Sequence, residues 1–146
     1  MTEGITNPIR ILIIEDNQFL TEGLAIIINY EPDMEVVRMA DTCADALTLA
    51  LEENPDLVLL DICLHGENGI DIIPDLVNKT DAKVLIMTGM PVLELYEDAL
   101  SKGARGILLK EENTSAILLE AIKRVVEGKI WLSESIRHSI SIHHPE

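Results

Sequence analysis

The stretch D-L-V-L-L-D-I-C-L-H-G-E-N-G, from Asp56 to Gly69, decides how the chain folds. Leu57 to Leu60 is continuous in Leu and Val and ends on Asp61, which is how a central parallel strand reads when both of its faces are buried. Working outward, Ile9 to Ile14, Glu35 to Ala40, Lys83 to Met87 and Gly106 to Leu109 are the other apolar runs. The first and fourth of the five are as continuous as the third. The second has Met34, Glu35 and Arg38 mixed in and reads as an edge.

Helical patterns fill the intervals. Asn17 to Tyr30 puts Leu20, Leu24, Ile27 and Ile28 on one face, and Thr42 is placed to cap a helix carrying Leu47, Ala50 and Leu51. Further helices fit Asp71 to Val77, with Pro74 near the start, and Val92 to Lys102, with Pro91 near its first turn and Gly103 past its end. In the last, Asn113 or Thr114 can cap a run that buries Ile117, Leu118, Ala121, Ile122, Val125 and Val126 and stops at Gly128. Such strand and helix alternation predicts an α/β fold, a doubly wound five-stranded parallel sheet in the order 2-1-3-4-5 with helices on both faces. This is the flavodoxin-like arrangement.

At 146 residues the chain suffices for one domain, and an apolar content of 47% with only 3% aromatics suits a sheet sheathed in helices. A formal charge of -15 repels polyanions, so this segment is not expected to bind DNA itself. Its apolar runs are too short to span a bilayer and no signal-type segment leads it, which places the protein in the cytoplasm with no membrane partner. Cys43 and Cys63 lack redox or zinc spacing and read as two buried, reduced thiols. His138, His143 and His144 read as tail residues.

The residues that end the strands carry the chemistry. Glu15 and Asp16 follow the first, Asp61 the third, Thr88 the fourth and Lys110 the fifth, and all point at the rim where a doubly wound sheet binds its ligands. Three clustered carboxylates repel one another unless a cation sits among them. An all-oxygen set with room for water suits Mg²⁺, and a Lys facing the same pocket suits a phosphate oxygen.

These segments, I-L-I-I-E-D-N, D-L-V-L-L-D-I-C-L-H-G-E-N-G, V-L-I-M-T-G and G-A-R-G-I-L-L-K, resemble in their order the receiver domain of two-component response regulators, from about Ile9 to Gly128. The resemblance implies that Asp61 accepts a phosphoryl group from a sensor histidine kinase. Asp16 then contacts the metal, Glu15 helps through water, and the backbone carbonyl of Cys63 completes the protein ligands. Thr88 matches the hydroxyl that bonds a phosphoryl oxygen and Lys110 the lysine that pairs with it. Such a protein is a signalling phosphoacceptor, not an enzyme on other substrates, and its phosphorylation is expected to switch conformation and to favour a homodimer.

Three positions depart from the family pattern. Ile107 stands where members usually carry Tyr or Phe, His65 where many have Pro, and Glu111 follows Lys110 in place of the common Pro. His65 reads as a solvated loop residue or as an influence on water at the phosphoaspartate. Residues 1–128 form the expected receiver domain. Residues 129–146 are then a C-terminal extension or the start of a linker to an output domain outside this sequence, because G-K-I-W-L-S-E-S-I resembles the segment leading into the helix-turn-helix domain of NarL/FixJ-type (LuxR-type) regulators. On that resemblance the output is transcription through such a domain. A stand-alone or degenerate receiver serving as a protein-binding module is the alternative. Two rivals from other classes fit less well. A flavin carrier would need small residues where Glu15 and Asp16 stand, and a metal-dependent phosphatase a second acid where Ile62 and Cys63 stand.

Overall fold

The computed structural model describes residues 7–90 and 92–143, with side chains to residue 140. Strands β1 (Ile9–Ile14), β2 (Met34–Ala40), β3 (Leu57–Asp61), β6 (Lys83–Thr88), β7 (Gly106–Leu109) and β8 (Trp131–Leu132) make one parallel sheet in the order β2-β1-β3-β6-β7-β8. Helices α1 (Gln18–Asn29) and α5 (Ser115–Val126) bury Leu24, Ile28, Leu118 and Ile122 on one face. On the other, α2 (Cys43–Glu53), α3 (Ile73–Lys79), α4 (Leu93–Ser101) and α6 (Glu134–His143) contribute Ala46, Leu76, Ala99 and Ile136.

The pleat sorts each strand between the two cores. Ile11, Ile13, Leu57 and Leu59 join the α1 and α5 side, while Leu12, Ile14, Val58 and Leu60 join the other. That two-sided burial is why β1, β3 and β6 read as continuous apolar runs. Strand β2 is indeed an edge, with Glu35, Arg38 and Met39 exposed.

Capping sets the helix starts. Thr42 accepts from the Asp45 amide at 3.1 Å and Thr114 from the Ile117 amide at 3.2 Å. The Asn113 side chain turns inward, with Nδ2 toward Met87 Sδ at 3.6 Å. Near Asp71 the chain runs as a 3-10 turn, Gly69–Ile72, and α3 follows with Pro74 in its first turn, where the missing N–H costs nothing. Pro91 lies outside the described residues, as do His144 and the side chain of His143.

Two expectations are corrected. The five strands hold their order, but the sheet has a sixth. With five strands, the outer edge of β7 would present unpaired backbone groups. The Trp131 amide donates to Arg105 O at 3.0 Å and the Ser133 amide to Ile107 O at 3.0 Å, and Gly106, lacking a Cβ, leaves space for the Trp131 carbonyl. A two-residue strand after a glycine-ended helix gives too weak a pattern to read. The thiols are free but not both buried: Cys43 is half-buried and Cys63 exposed, because Cys63 belongs to a short surface hairpin of β4 (Cys63–Leu64) and β5 (Glu67–Asn68).

Candidate functional site

The β1, β3, β6 and β7 carboxyl ends converge on one rim. Glu15 and Asp61 there are 3% and 5% exposed, and Thr88 is 1% exposed. Asp16 is half-buried. One carboxylate oxygen from each of Glu15, Asp16 and Asp61 lies within 4.8 Å of the others, a set that could hold a metal ion. Lys110, whose Nζ is 3.1 Å from Asp61 Oδ2 and 3.2 Å from Glu15 Oε1, bridges the two buried acids.

Each group is oriented by local backbone. The Asn17 amide donates to Glu15 Oε2 at 3.0 Å, while Asn17 Oδ1 caps α1 through the Leu20 amide at 3.1 Å. The amide of Cys63 donates to Asp61 Oδ1 at 3.3 Å. At His65 the chain takes a positive φ of 47°, which brings its amide to Asp16 Oδ2 at 2.8 Å. The His65 ring stands between Asp16 and Asp41, its nitrogens 3.8 and 3.6 Å from their carboxylates. Glu67 Oε1 accepts from the Cys43 amide at 3.1 Å and so pins the hairpin to the start of α2.

Protonation follows from these surroundings. Burial pushes the Glu15 carboxyl above its ordinary 4.5, and the Asp61 charge adds to it, against the Asn17 amide and Lys110. Asp16 is held below 3.8, chiefly by the His65 amide. Burial works against the Lys110 ammonium, but the bond and charge of Asp61, with Glu15, outweigh it and raise its pKa. The Cys43 thiol is pushed up to about 11 by burial and by Glu67, so it is no nucleophile at neutral pH.

These donors suit a hard cation. All are oxygens, and Glu15 Oε1 is buried with no hydrogen-bond partner, only the ion pair to Lys110. The raised Glu15 pKa means that folding favours its neutral form. Its contribution to stability is therefore full below about 4.5 and lost as pH rises through the folded value, leaving a net cost at neutral pH. Glu15→Gln is expected to melt higher than the unchanged chain in metal-free neutral buffer. Mg²⁺ is expected to reverse that order, raising the melting temperature of the unchanged protein more than that of the variant.

Every residue singled out in the sequence, Glu15, Asp16, Asp61, Cys63, Thr88 and Lys110, lies on this rim. Three sets of contacts add to what the sequence suggested. His65 acts on Asp16 through its backbone, which no side-chain pattern announces. Gly69 allows close approach: a Cβ there would lie 2.6 Å from the Asp61 carbonyl oxygen. Thr88 Oγ1 accepts from the Met90 amide at 3.0 Å, and the Met90 carbonyl accepts from the Tyr96 hydroxyl at 3.0 Å, a chain that a lone aromatic on a helix does not signal.

Comparison with known proteins gives this arrangement its relatives. Residues 11–123 match the response regulator receiver domain. Transcriptional regulatory protein DegU of Brevibacillus brevis is 35% identical over 135 residues, covering 92% of this chain and 57% of that protein. The nitrate/nitrite response regulator protein NarL of Escherichia coli K12 is 32% identical over 130 residues, covering 88% and 60%. The chain thus spans about three-fifths of the length of these relatives. Among solved structures, a LuxR-family two-component response regulator from Aurantimonas sp. SI85-9A1 superposes with a TM-score of 0.88 at 27% identity, over 96% of this chain and 100% of that one.

Proposed function

Since the chain belongs to the response regulator receiver domain family, with relatives of the NarL and LuxR type, we propose that Asp61 takes a phosphoryl group from a sensor histidine kinase and thereby switches the domain. One observation carries the reading: Lys110 Nζ lies 3.1 Å from Asp61 Oδ2, beside three carboxylates whose oxygens come within 4.8 Å of one another. A nucleophilic oxygen, a fixed positive charge and a cluster of hard-cation donors share one rim.

An Asp61 oxygen attacks phosphorus while the bond from phosphorus to the donor nitrogen or oxygen breaks, its electron pair leaving with the donor. The product is an acyl phosphate on Asp61. Bound Mg²⁺, held by Glu15, Asp16, Asp61 and the carbonyl of Cys63, would supply charge neutralisation for the phosphoryl oxygens. The Cys63 amide at Asp61 Oδ1 fixes the carboxylate's rotation. Lys110 offsets the charge that gathers on the transferred group, and the Thr88 hydroxyl, whose oxygen accepts from Met90, keeps its hydrogen for a phosphoryl oxygen.

A cleft of about 640 Å³ beside the site is lined by Glu15, Asp16, Glu22, Arg38, Asp41 and Asp45, among others, and opens the acids to solvent. In this reading the partner is a histidine kinase, the protein works in the cytoplasm, and phosphorylation favours a homodimer. Output is transcription through a DNA-reading domain outside this chain, a reading supported by the relative DegU, whose name makes it a transcriptional regulatory protein. The segment itself, at -15, binds no DNA. It turns over no other substrate. No described helix is long and apolar enough to cross a membrane.

The reading is tested by intact-mass analysis after incubation with Mg²⁺ and a small acyl-phosphate donor. One phosphoryl group is expected per chain, and none once the metal is chelated. Folded, metal-loaded protein that gains no mass would overturn it.

A further inference from the structure

The residues after α5 are tied to the part of the sheet that carries Lys110. The Ser133 amide donates to Ile107 O at 3.0 Å, and the Leu109 amide, one residue before Lys110, donates to Ser133 Oγ at 2.9 Å. Lys110 then opens a 3-10 turn, Lys110–Glu112, and the Ser135 hydroxyl donates to the Glu112 carboxylate. The strand end before the lysine and the turn after it are therefore both held by the start of α6. That helix packs against α4, and its Ile136 is 0% exposed, in the apolar cluster that also contains Tyr96, Ala99 and Ile107.

A second line of contacts reaches the same cluster from Thr88. The Thr88 hydroxyl oxygen accepts from the Met90 amide, and the Met90 carbonyl accepts from the buried Tyr96 hydroxyl. Ile107 has no polar group with which to report a move of Thr88. Tyr96 has one, and it is already bonded to the segment that begins with Thr88.

We propose that β8 and α6 form a latch over the α4 and β7 side of the sheet, which phosphorylation of Asp61 releases, with Tyr96 as the relay. The proposal rests on Asp61 being the phosphoryl acceptor. Phosphoryl oxygens draw the Thr88 hydroxyl and the Lys110 ammonium toward them. As Thr88 turns it gives up the Met90 amide, the segment moves, and Tyr96 loses the carbonyl that fixes its ring. Lys110 moving inward draws its turn away from Ser135. Both shifts act on the packing around Ile136, and packed interfaces respond to small shifts by switching between discrete arrangements. Release would uncover Ile136 with the half-buried Leu132 and Ile140, an apolar surface present only in the signalling state.

Hydrogen exchange read by mass spectrometry on the full chain, with and without an acyl-phosphate donor and Mg²⁺, tests this. The intact mass of the same samples gives the extent of phosphorylation. Amides of residues 134–140 are expected to exchange about tenfold faster once Asp61 is phosphorylated, within the usual range of coupling between sites. The fluorescence of Trp131, the chain's one tryptophan, is expected to change in step. Tyr96→Phe, which keeps the ring and loses the hydroxyl, is expected to be phosphorylated to the same extent with less than about a twofold rise in exchange. Full phosphorylation without faster exchange in α6 would overturn the latch, and undiminished acceleration in Tyr96→Phe would overturn the relay. No gain of mass would overturn the acceptor reading, and the latch with it.

Discussion

Asp61→Asn is expected to gain no phosphoryl group at all, in the presence of Mg²⁺ and under donor conditions that label the unchanged chain fully. The question is why neighbouring carboxylates should not take over, since Glu15 and Asp16 both have an oxygen within 4.8 Å of one on Asp61. Asp16 has one oxygen occupied by the His65 amide at 2.8 Å, and its lowered pKa records how firmly its charge is held. Glu15 is buried, with Oε2 tied by the Asn17 amide and Oε1 paired with Lys110. Asp61 closes the central strand β3 with Lys110 beside it, a lysine that Glu15 at the end of β1 shares. An amide there has the same shape and still accepts from the Cys63 amide, so the fold should survive. Intact mass and peptide mapping give the result, and label on Asp16 or Glu15 in the variant would contradict this account.

Much of this site was legible because each strand reports its own end. An apolar run that stops at Asp61, Thr88 or the Glu15 and Asp16 pair marks a strand buried on both faces, and the doubly wound topology then brings those ends together. What escaped was held by backbone or lay beyond the regular pattern. Strand β8 has two residues, too few for a period, and its pairing depends on Gly106 lacking a side chain. Cys63 read as buried because it lacks redox or zinc spacing, yet the hairpin with Glu67 and Asn68 turns it outward. The aromatic expected at position 107 is missing, and its substitute, Tyr96, comes from a different element, so no local comparison of sequence could have found it. Residues 129–146 read as an extension or the start of a linker, neither of which implies a packed side chain, and in the structure Ile136 settles into the core.

Gly69→Ala should lower phosphoryl incorporation about a hundredfold, the order of loss that follows when a reacting group is misplaced by about 1 Å. The change adds one methyl group and alters no charge. Gly69 does not have positive φ, so the requirement is one of space. A Cβ there would stand 2.6 Å from the Asp61 carbonyl oxygen and 3.1 Å from that of Ile62, both backbone atoms that cannot swing aside. The Gly69 amide also donates to Ile62 O at 2.5 Å, which ties the two segments together and leaves no slack between them. Relief must come from moving the peptide after Asp61, and that peptide leads to the Cys63 amide that orients the carboxylate. The same overpacking should reduce stability by about 1–3 kcal/mol, seen as an earlier denaturant midpoint with an unchanged slope. Gly66→Ala separates the two effects, because nothing lies within 4 Å of a Cβ at that position and only its positive φ of 82° is strained. That variant should lose about 1 kcal/mol, the lower end of the cost of a left-handed non-glycine residue, while keeping most of its incorporation. If both variants lost incorporation equally, general loosening of the loop would explain the effect, and the contact between Gly69 and Asp61 would not.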